Sequence, residues 1–259
     1  MRARMNGGWY TPFDPKEVNF NYTEANAWQY RFFVPQDIQG MVDIMGGRQA
    51  FEAALDSMFT EKPKTTGRHQ ADITGLIGQY AHGNEPSHHM AYLYNYIGKP
   101  GKTQQYVRQI MDNLYTTKPD GLSGNEDCGQ MSAWLVLSAM GFYSVTPGMD
   151  YYAIGTPLFP KVTLNLENGK QFVIKANNLS EKNVHVEGMR LNGKNWNKSY
   201  LPHDKIMKGG SMTFTMSDTP GENFGKGPEN IPAASSDEKP VATTPYSKNG
   251  KRVFEQELE

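Results

Sequence analysis

The densest chemistry in the chain lies at residues 121–134, Gly-Leu-Ser-Gly-Asn-Glu-Asp-Cys-Gly-Gln-Met-Ser-Ala-Trp. Glycines at 121, 124 and 129 let the backbone turn sharply or take positive φ. Between them stand two acids, Glu126 and Asp127. Met131, Trp134, Leu135, Val136, Leu137 and Met140 then predict a helix that is apolar almost all round and therefore packed in an interior. A carboxylate pair on a loop anchored by a buried helix is equipped for acid–base work. The plainer alternative is helix capping by Asn125 or Asp127.

Two further stretches share this character. Glu24, Ala25 and Asn26 precede one apolar run, and Gly83, Asn84, Glu85 and Pro86 precede another. Each puts a carboxylate and a carboxamide where a helix is expected to begin, and each alone has a capping explanation. Three of them point to a shared rim where loops converge. Carboxylates facing each other across a cleft can serve as general acid and general base. A separation of about 6.5–9.5 Å leaves room for water and gives inverting glycoside hydrolysis. Asn and Glu oxygens without thiolates suit a hard cation, calcium before magnesium.

Other chemistries fare worse. Cys128 is the single cysteine, so an internal disulfide and a cysteine-based zinc site are excluded. With no cation beside it in sequence, it reads as a structural thiol. His88 and His89 point about 100° apart on a helix and cannot chelate one ion together. The net charge of −1 and the dispersed Lys and Arg argue against a nucleic-acid partner. No apolar run reaches the ~18 residues of a membrane span.

The elements that must position these residues are mostly helical. Glu24 opens a helical run that Pro35 ends. Ile38, Met41, Val42 and Met45 are spaced as one helix face, and Phe51, Leu55, Met58 and Phe59 as another. Pro86 fits a first helical turn, with Met90, Leu93, Tyr94 and Ile97 marking a core face. Tyr106, Val107, Ile110, Met111 and Leu114 give a further helix before the central one at about 130–141. Beyond Pro147 the pattern changes to alternating strands around 162–166, 171–175, 183–187 and 211–216. The expected fold is mainly α: a helical array over 1–156, a small antiparallel β unit over 157–217, and an extended tail over 218–259.

Glu24-Ala-Asn-Ala-Trp-Gln-Tyr with Val34-Pro-Gln-Asp37, Gly83-Asn-Glu-Pro-Ser-His-His89 and Gly124-Asn-Glu-Asp-Cys-Gly-Gln-Met-Ser-Ala-Trp134 together resemble glycoside hydrolase family 92. These are calcium-dependent, inverting exo-α-mannosidases that release mannose from α-mannosides such as N-glycans. The resemblance runs from about Gly8 to Phe224. It implies an (α/α)6 barrel, present here only in its C-terminal part, set against an N-terminal β-sandwich. Carried over residue by residue, Glu24 is similar to the catalytic acid and Asp127 to the general base. Asn84 and Glu85 fall in the segment that helps hold calcium, and Trp28, His82 and Glu126 fall among the substrate neighbours. Two residues depart from the common pattern: Ala25 stands where Gly is frequent after the acid, and Asn125 where Asp is frequent before the base. Members are also several hundred residues longer at the N-terminus.

The resemblance therefore implies a mannose-containing glycan as substrate and a periplasmic or secreted location. It also implies a partner, either the missing sandwich half or a homologous subunit. Two other readings stay open: a helical scaffold that no longer catalyses, and another helical-toroid carbohydrate enzyme such as a lyase or phosphorylase-like protein.

Overall fold

The computed structural model describes residues 1–233. Its architecture is mixed α/β, about 30% helix and 22% strand with five sheets, which overturns the mainly α expectation and the helical toroid. Five of the expected helix positions hold in outline: α1 Ala27–Arg31, α2 Ile38–Ile44, α3 Arg48–Thr60, α4 Pro100–Leu114 and α5 Gln130–Ala139; a sixth helix, α6 His203–Met207, lies inside the stretch expected to be all strand. The helical content falls short because α1 and α2 are brief and because Glu85–Ser87 and Met90–Ile97 are 3₁₀ segments. All eight residues of Met90–Ile97 are buried, so this run is a core rod with no solvent face. Much of the remaining chain is loop, stitched by two-residue ladders such as Glu17–Val18 with Thr66–Gly67 and Leu76–Ile77 with Tyr80–Ala81.

The C-terminal sheet has five strands in the order Lys194–Asn195, His185–Leu191, Gly210–Ser217, Gln171–Asn177, Lys161–Asn165. Its central pair, Gln171–Asn177 with Gly210–Ser217, is parallel, and the other pairs are antiparallel. The sheet is therefore mixed, not purely antiparallel as expected. A crossover carrying α6 makes the parallel pairing possible, since parallel neighbours cannot be joined by a tight hairpin. Alternation of buried and exposed residues in Gly210–Ser217 sends Met212, Phe214 and Met216 into the sheet core. A second sheet joins Tyr200–Pro202, Tyr151–Ile154 and Phe142–Tyr143, so it links residues on both sides of position 156. Two large apolar clusters result, beside a small one of Tyr22, Ala25 and Ala27. One surrounds Met90–Ile97 and includes Trp134; the other lies under the five-stranded sheet; Leu137 packs against both.

Residues 218–233, expected in the extended tail, pack back onto the body. Phe224 is buried in the sheet core, Gly221 N donates to Val186 O, and Ser199 N donates to Asn230 O. The rest of the expected tail lies outside the described residues.

Candidate active site

The three polar stretches each divide their labour between capping and something else. In the first, Asn26 is the N-cap of α1: its Oδ1 accepts from Trp28 N and Gln29 N, and Gln29 Oε1 accepts from Asn26 N at 2.7 Å. This capping box is itself buried against Gln79. Glu24 is left uncommitted and exposed. In the third stretch the N-cap residue of α5 is Gly129, and the Glu126 carboxylate covers the helix start by accepting from Gly129 N and Ser132 N. Hydrogen bonds to Ser132, side chain first, and to Gly129 hold the Glu126 carboxyl below its ordinary range. Asp127 is left exposed beside it. In the second stretch, Asn84 makes no side-chain cap bond; its Nδ2 donates to the Glu24 carbonyl at 3.1 Å.

The three loops thus meet. Glu85 lies within side-chain hydrogen-bond reach of Asp127 and in the field of Glu24. Its pKa is raised, first by burial and then by these neighbouring carboxyls. Glu24 and Asp127 both hold left-handed backbone, with φ of 54° and 52°. Such conformations cost non-glycine residues on the order of 1–3 kcal/mol and persist where surrounding packing imposes them. That packing is visible at Thr74. A Cβ on Gly83 would sit 1.9 Å from Thr74 Oγ1, and one on Gly124 would sit 2.8 Å from the same atom and 2.9 Å from Gly83 O. The glycines are required because the second and third loops close on each other around one threonine.

Behind the loops lies a buried polar relay. Tyr115 Oη donates to Met131 O and accepts from His82 Nε2 at 2.6 Å; His82 Nδ1 accepts from Tyr80 Oη at 2.8 Å. His82 stacks edge-on against Trp134, with ring centroids 4.4 Å apart. His88 Nε2 donates to His82 O, and its Nδ1 accepts from Gln130. Burial pushes His82 down to about 2, and His88 and His89 to about 4 each, so all three stay neutral. With both ring nitrogens engaged, His82 and His88 have no lone pair for zinc. Among the described residues no three of His, Cys, Asp and Glu are grouped to hold a metal.

A cleft of about 420 Å³ opens beside Glu85, walled also by His88, Gln130, Tyr143 and Phe33. The glycosyl hydrolase family 92 catalytic domain matches residues 1–218 of the chain. The chain belongs to glycoside hydrolase family 92. Within that family it is similar to an alpha-mannosidase from Bacteroides thetaiotaomicron, at 42% identity with TM-score 0.81, covering 90% of this chain and 30% of that one. That same mannosidase has also been solved in complex with mannoimidazole. An inverting mannosidase of the same organism is 40% identical, TM-score 0.78, over 89% of this chain and 32% of its own. An uncharacterized secreted glycosidase of Arthroderma benhamiae is 28% identical over 212 residues, 81% of this chain and 25% of that protein. The chain thus spans about a quarter to a third of the length of these relatives.

Of the residues anticipated from sequence, Glu24, Asn84, Glu85 and Asp127 come together. His82 does not reach the cleft surface; it is fully buried one layer behind. Glu126 is spent on capping. Trp28 lies in a separate hollow with Phe13 and Arg31, beneath the Arg31 guanidinium. Sequence reasoning missed Thr74, Tyr115, Gln130 and Tyr143. Gln130 lies within the Gly124 to Trp134 motif, but nothing local distinguishes the other three, whose roles come from residues distant in sequence, such as Gly124 for Thr74, His82 for Tyr115 and Tyr92 for Tyr143. No helix among the described residues is long and apolar enough to cross a membrane.

Proposed function

We propose that the chain is the part of an inverting exo-α-mannosidase, periplasmic or secreted, that carries the acid and base carboxylates. The observation that supports this most is the meeting of the three motif loops: Asn84 Nδ2 donates to the Glu24 carbonyl at 3.1 Å, and Gly83 and Gly124 close on each other around Thr74. In this reading Glu24 protonates the departing glycosidic oxygen. Asp127 takes a proton from the attacking water on the opposite face of the sugar, with their carboxyls about 6–10 Å apart. The substrate is a terminal α-linked mannose, as on an N-glycan.

The residues fit calcium in kind. Asn84 and Glu85 are hard oxygen donors, and a cation would relieve the crowding of carboxyls around Glu85. Two residues cannot complete the 6–8 oxygens that calcium takes; the remainder would come from water, the sugar hydroxyls and the rest of the enzyme. When bound, calcium would supply Lewis-acid polarisation and orientation of the sugar. Glu85 and Asn84 would hold it; the proton transfers belong to Glu24 and Asp127.

The test uses a chimera joining this chain to the portion of the Bacteroides thetaiotaomicron enzyme outside the match. Hydrolysis of α-mannobioses, followed by proton NMR, should release β-mannose first. Chelator should abolish turnover, and Glu24→Gln and Asp127→Ala should each lower kcat at least ~100-fold. First-formed α-mannose, or turnover indifferent to Asp127, would overturn the mechanism. A stable but inactive chimera would favour a binding scaffold.

A further inference from the structure

Where α4 begins, residues 220–226 pack against it and close a hollow of about 150 Å³. The fit is tight. A Cβ on Gly101 would stand 2.7 Å from Pro220, and one on Gly225 would stand 2.7 Å from Pro100. Pro100, Val186, Pro220 and Phe224 give the hollow apolar walls. The helix it abuts is 15 residues long, its N-cap Lys99 makes no side-chain cap bond, and Pro100 at the first position has no N–H. The first amide at the helix mouth is therefore that of Gly101, which lines the hollow. Gln104, one turn on, lines it as well and is 1% exposed. Its Oε1 accepts from Val186 N at 3.1 Å. A backbone N–H can only donate, so the orientation of the amide is fixed and Nε2 is the end it turns to the hollow. That Nε2 is buried with no hydrogen-bond partner. Three of the eight buried side-chain groups without a partner among the described residues belong to Thr103, Gln104 and His185, so they gather at this one helix start. His185 Nδ1 lies 3.9 Å from the place of a Gly101 Cβ. Buried donors left unpaired are costly, and a group of them at the positive end of a helix calls for an acceptor that carries negative charge.

We infer that this hollow binds a small monocarboxylate with a short apolar body, of acetate to butyrate size. One carboxylate oxygen accepts from Gln104 Nε2 and the other from Gly101 N. The apolar body lies against Val186, Pro220 and Phe224. Lys99 and Lys102 are held by Glu52 and Asp56, whereas Lys226 lines the hollow and makes no ion pair among the described residues. Lys226 is therefore the cation at the rim. A cavity of this volume takes about six heavy atoms, as when benzene fills an apolar one, and butyrate has that many. Inorganic phosphate fits less well, because a compact, more highly charged oxyanion would be buried among apolar walls with too few donors.

The inference rests on this end of the fold and not on the mannosidase reading, so its readout is binding. The full chain, labelled with nitrogen-15, is titrated by NMR with sodium butyrate, sodium phosphate and 1-butanol, with sodium chloride holding the ionic strength. Butyrate should give saturable shifts at the Gly101, Gln104 and Val186 amides and at the Gln104 side-chain amide, with Kd on the order of millimolar. The thermal midpoint should rise with butyrate concentration. Gln104→Glu keeps the size and the acceptor for Val186 N but turns a like charge to the ligand, and should weaken binding at least ~10-fold. Should that variant fail to fold, Lys226→Glu, on an exposed side chain, gives a second reading and should weaken binding at least ~3-fold. The inference is overturned by butyrate shifts that do not saturate, by 1-butanol binding as well as butyrate, by saturable binding of phosphate in place of butyrate, or by unchanged butyrate affinity in the variants.

Discussion

Tyr115 Oη and His82 Nε2 are 2.6 Å apart, and this bond holds both candidate loops from behind. Tyr115 follows the last turn of α4, forms a β-bridge with Leu122 on the loop leading to Asp127, and donates its hydroxyl to Met131 O in α5. His82 begins the loop that carries Glu85. Tyr115→Phe leaves His82 Nε2–H buried without an acceptor, which costs ~1–3 kcal/mol. The midpoint in urea should fall accordingly, with an unchanged m-value. Amides at 83–86 and 122–127 should exchange ~10-fold faster while Met90–Ile97 keeps its protection. Uniform loss of protection, or none, would show that the bond does not position the loops.

Asp127→Asn should lower the Glu85 pKa. Replacing the acid removes a neighbouring charge that raises it and exchanges a carboxylate partner for a neutral amide. Burial, the largest cause, remains, so the value should fall without reaching that of a free glutamate. Carboxyl carbon NMR titration in calcium-free buffer reads this directly. An unmoved Glu85 titration would mean that the two side chains do not meet in solution.

The buried histidines set an acid limit on stability. His88 and His89 stay neutral in the fold down to about 4 and His82 to about 2, whereas unfolded histidine titrates near ~6.5. Between those values the unfolded chain binds the extra protons. Stability is therefore full above ~6.5 and lost as pH falls toward 4 and below, each histidine contributing up to ~1.4 kcal/mol per pH unit. Denaturation midpoints between pH 7 and 4.5 should drop, and His89→Gln should flatten the slope. His89 is the cleanest choice because its recorded bond is a single donation to Phe32 O.

The Thr74 contact makes a two-residue prediction. Gly83→Ala drives a Cβ into Thr74 Oγ1 and should destabilise, since nearby Thr74 Cβ at 3.1 Å and O at 3.2 Å leave little room to yield. Thr74→Ala removes the nearest atom, so the double variant should recover part of the loss. Contacting residues couple by ~0.5–3 kcal/mol; additive losses would place the strain elsewhere.

These contacts also mark what could be read from the sequence. The helices at Ile38–Ile44, Arg48–Thr60 and Pro100–Leu114 follow apolar spacing and were legible. The meeting of Glu24, Glu85 and Asp127 was legible as three similar loop-to-helix junctions and as a family resemblance. The mainly α expectation failed because two-residue ladders and 3₁₀ turns carry no periodic signal, and because the strands Phe142–Tyr143 and Tyr151–Ile154 are too short to alternate visibly. The central helix was misjudged as wholly interior: Trp134 is fully buried, yet Val136 is 57% exposed. An all-apolar helix has no polar face to report which side is covered. Parallel pairing of Gln171–Asn177 with Gly210–Ser217 depends on a crossover of more than thirty positions, which no local pattern encodes. Capping by Asn26 and Glu126 in place of their neighbours was a choice among adjacent polar residues that spacing alone could not make.

The 259-residue chain by itself should hydrolyse α-mannobioses far more slowly than the chimera. Proton transfer by Glu24 and Asp127 is worth ~10²–10⁴-fold. Holding the sugar in a productive pose is worth more, up to ~7–11 kcal/mol in well-oriented systems, and requires contact around the whole ring in the transition state. The cleft beside Glu85 offers Gln130, Tyr143 and Phe33 on one side, while about two-thirds of each solved relative has no counterpart in this chain. The exposed Val136 and Phe33 should meanwhile favour self-association. Turnover is to be compared at equal monomer concentration, with calcium and with chelator. If the isolated chain works at a rate near the chimera's, and Asp127→Ala abolishes it, the pocket is built wholly from the residues described here.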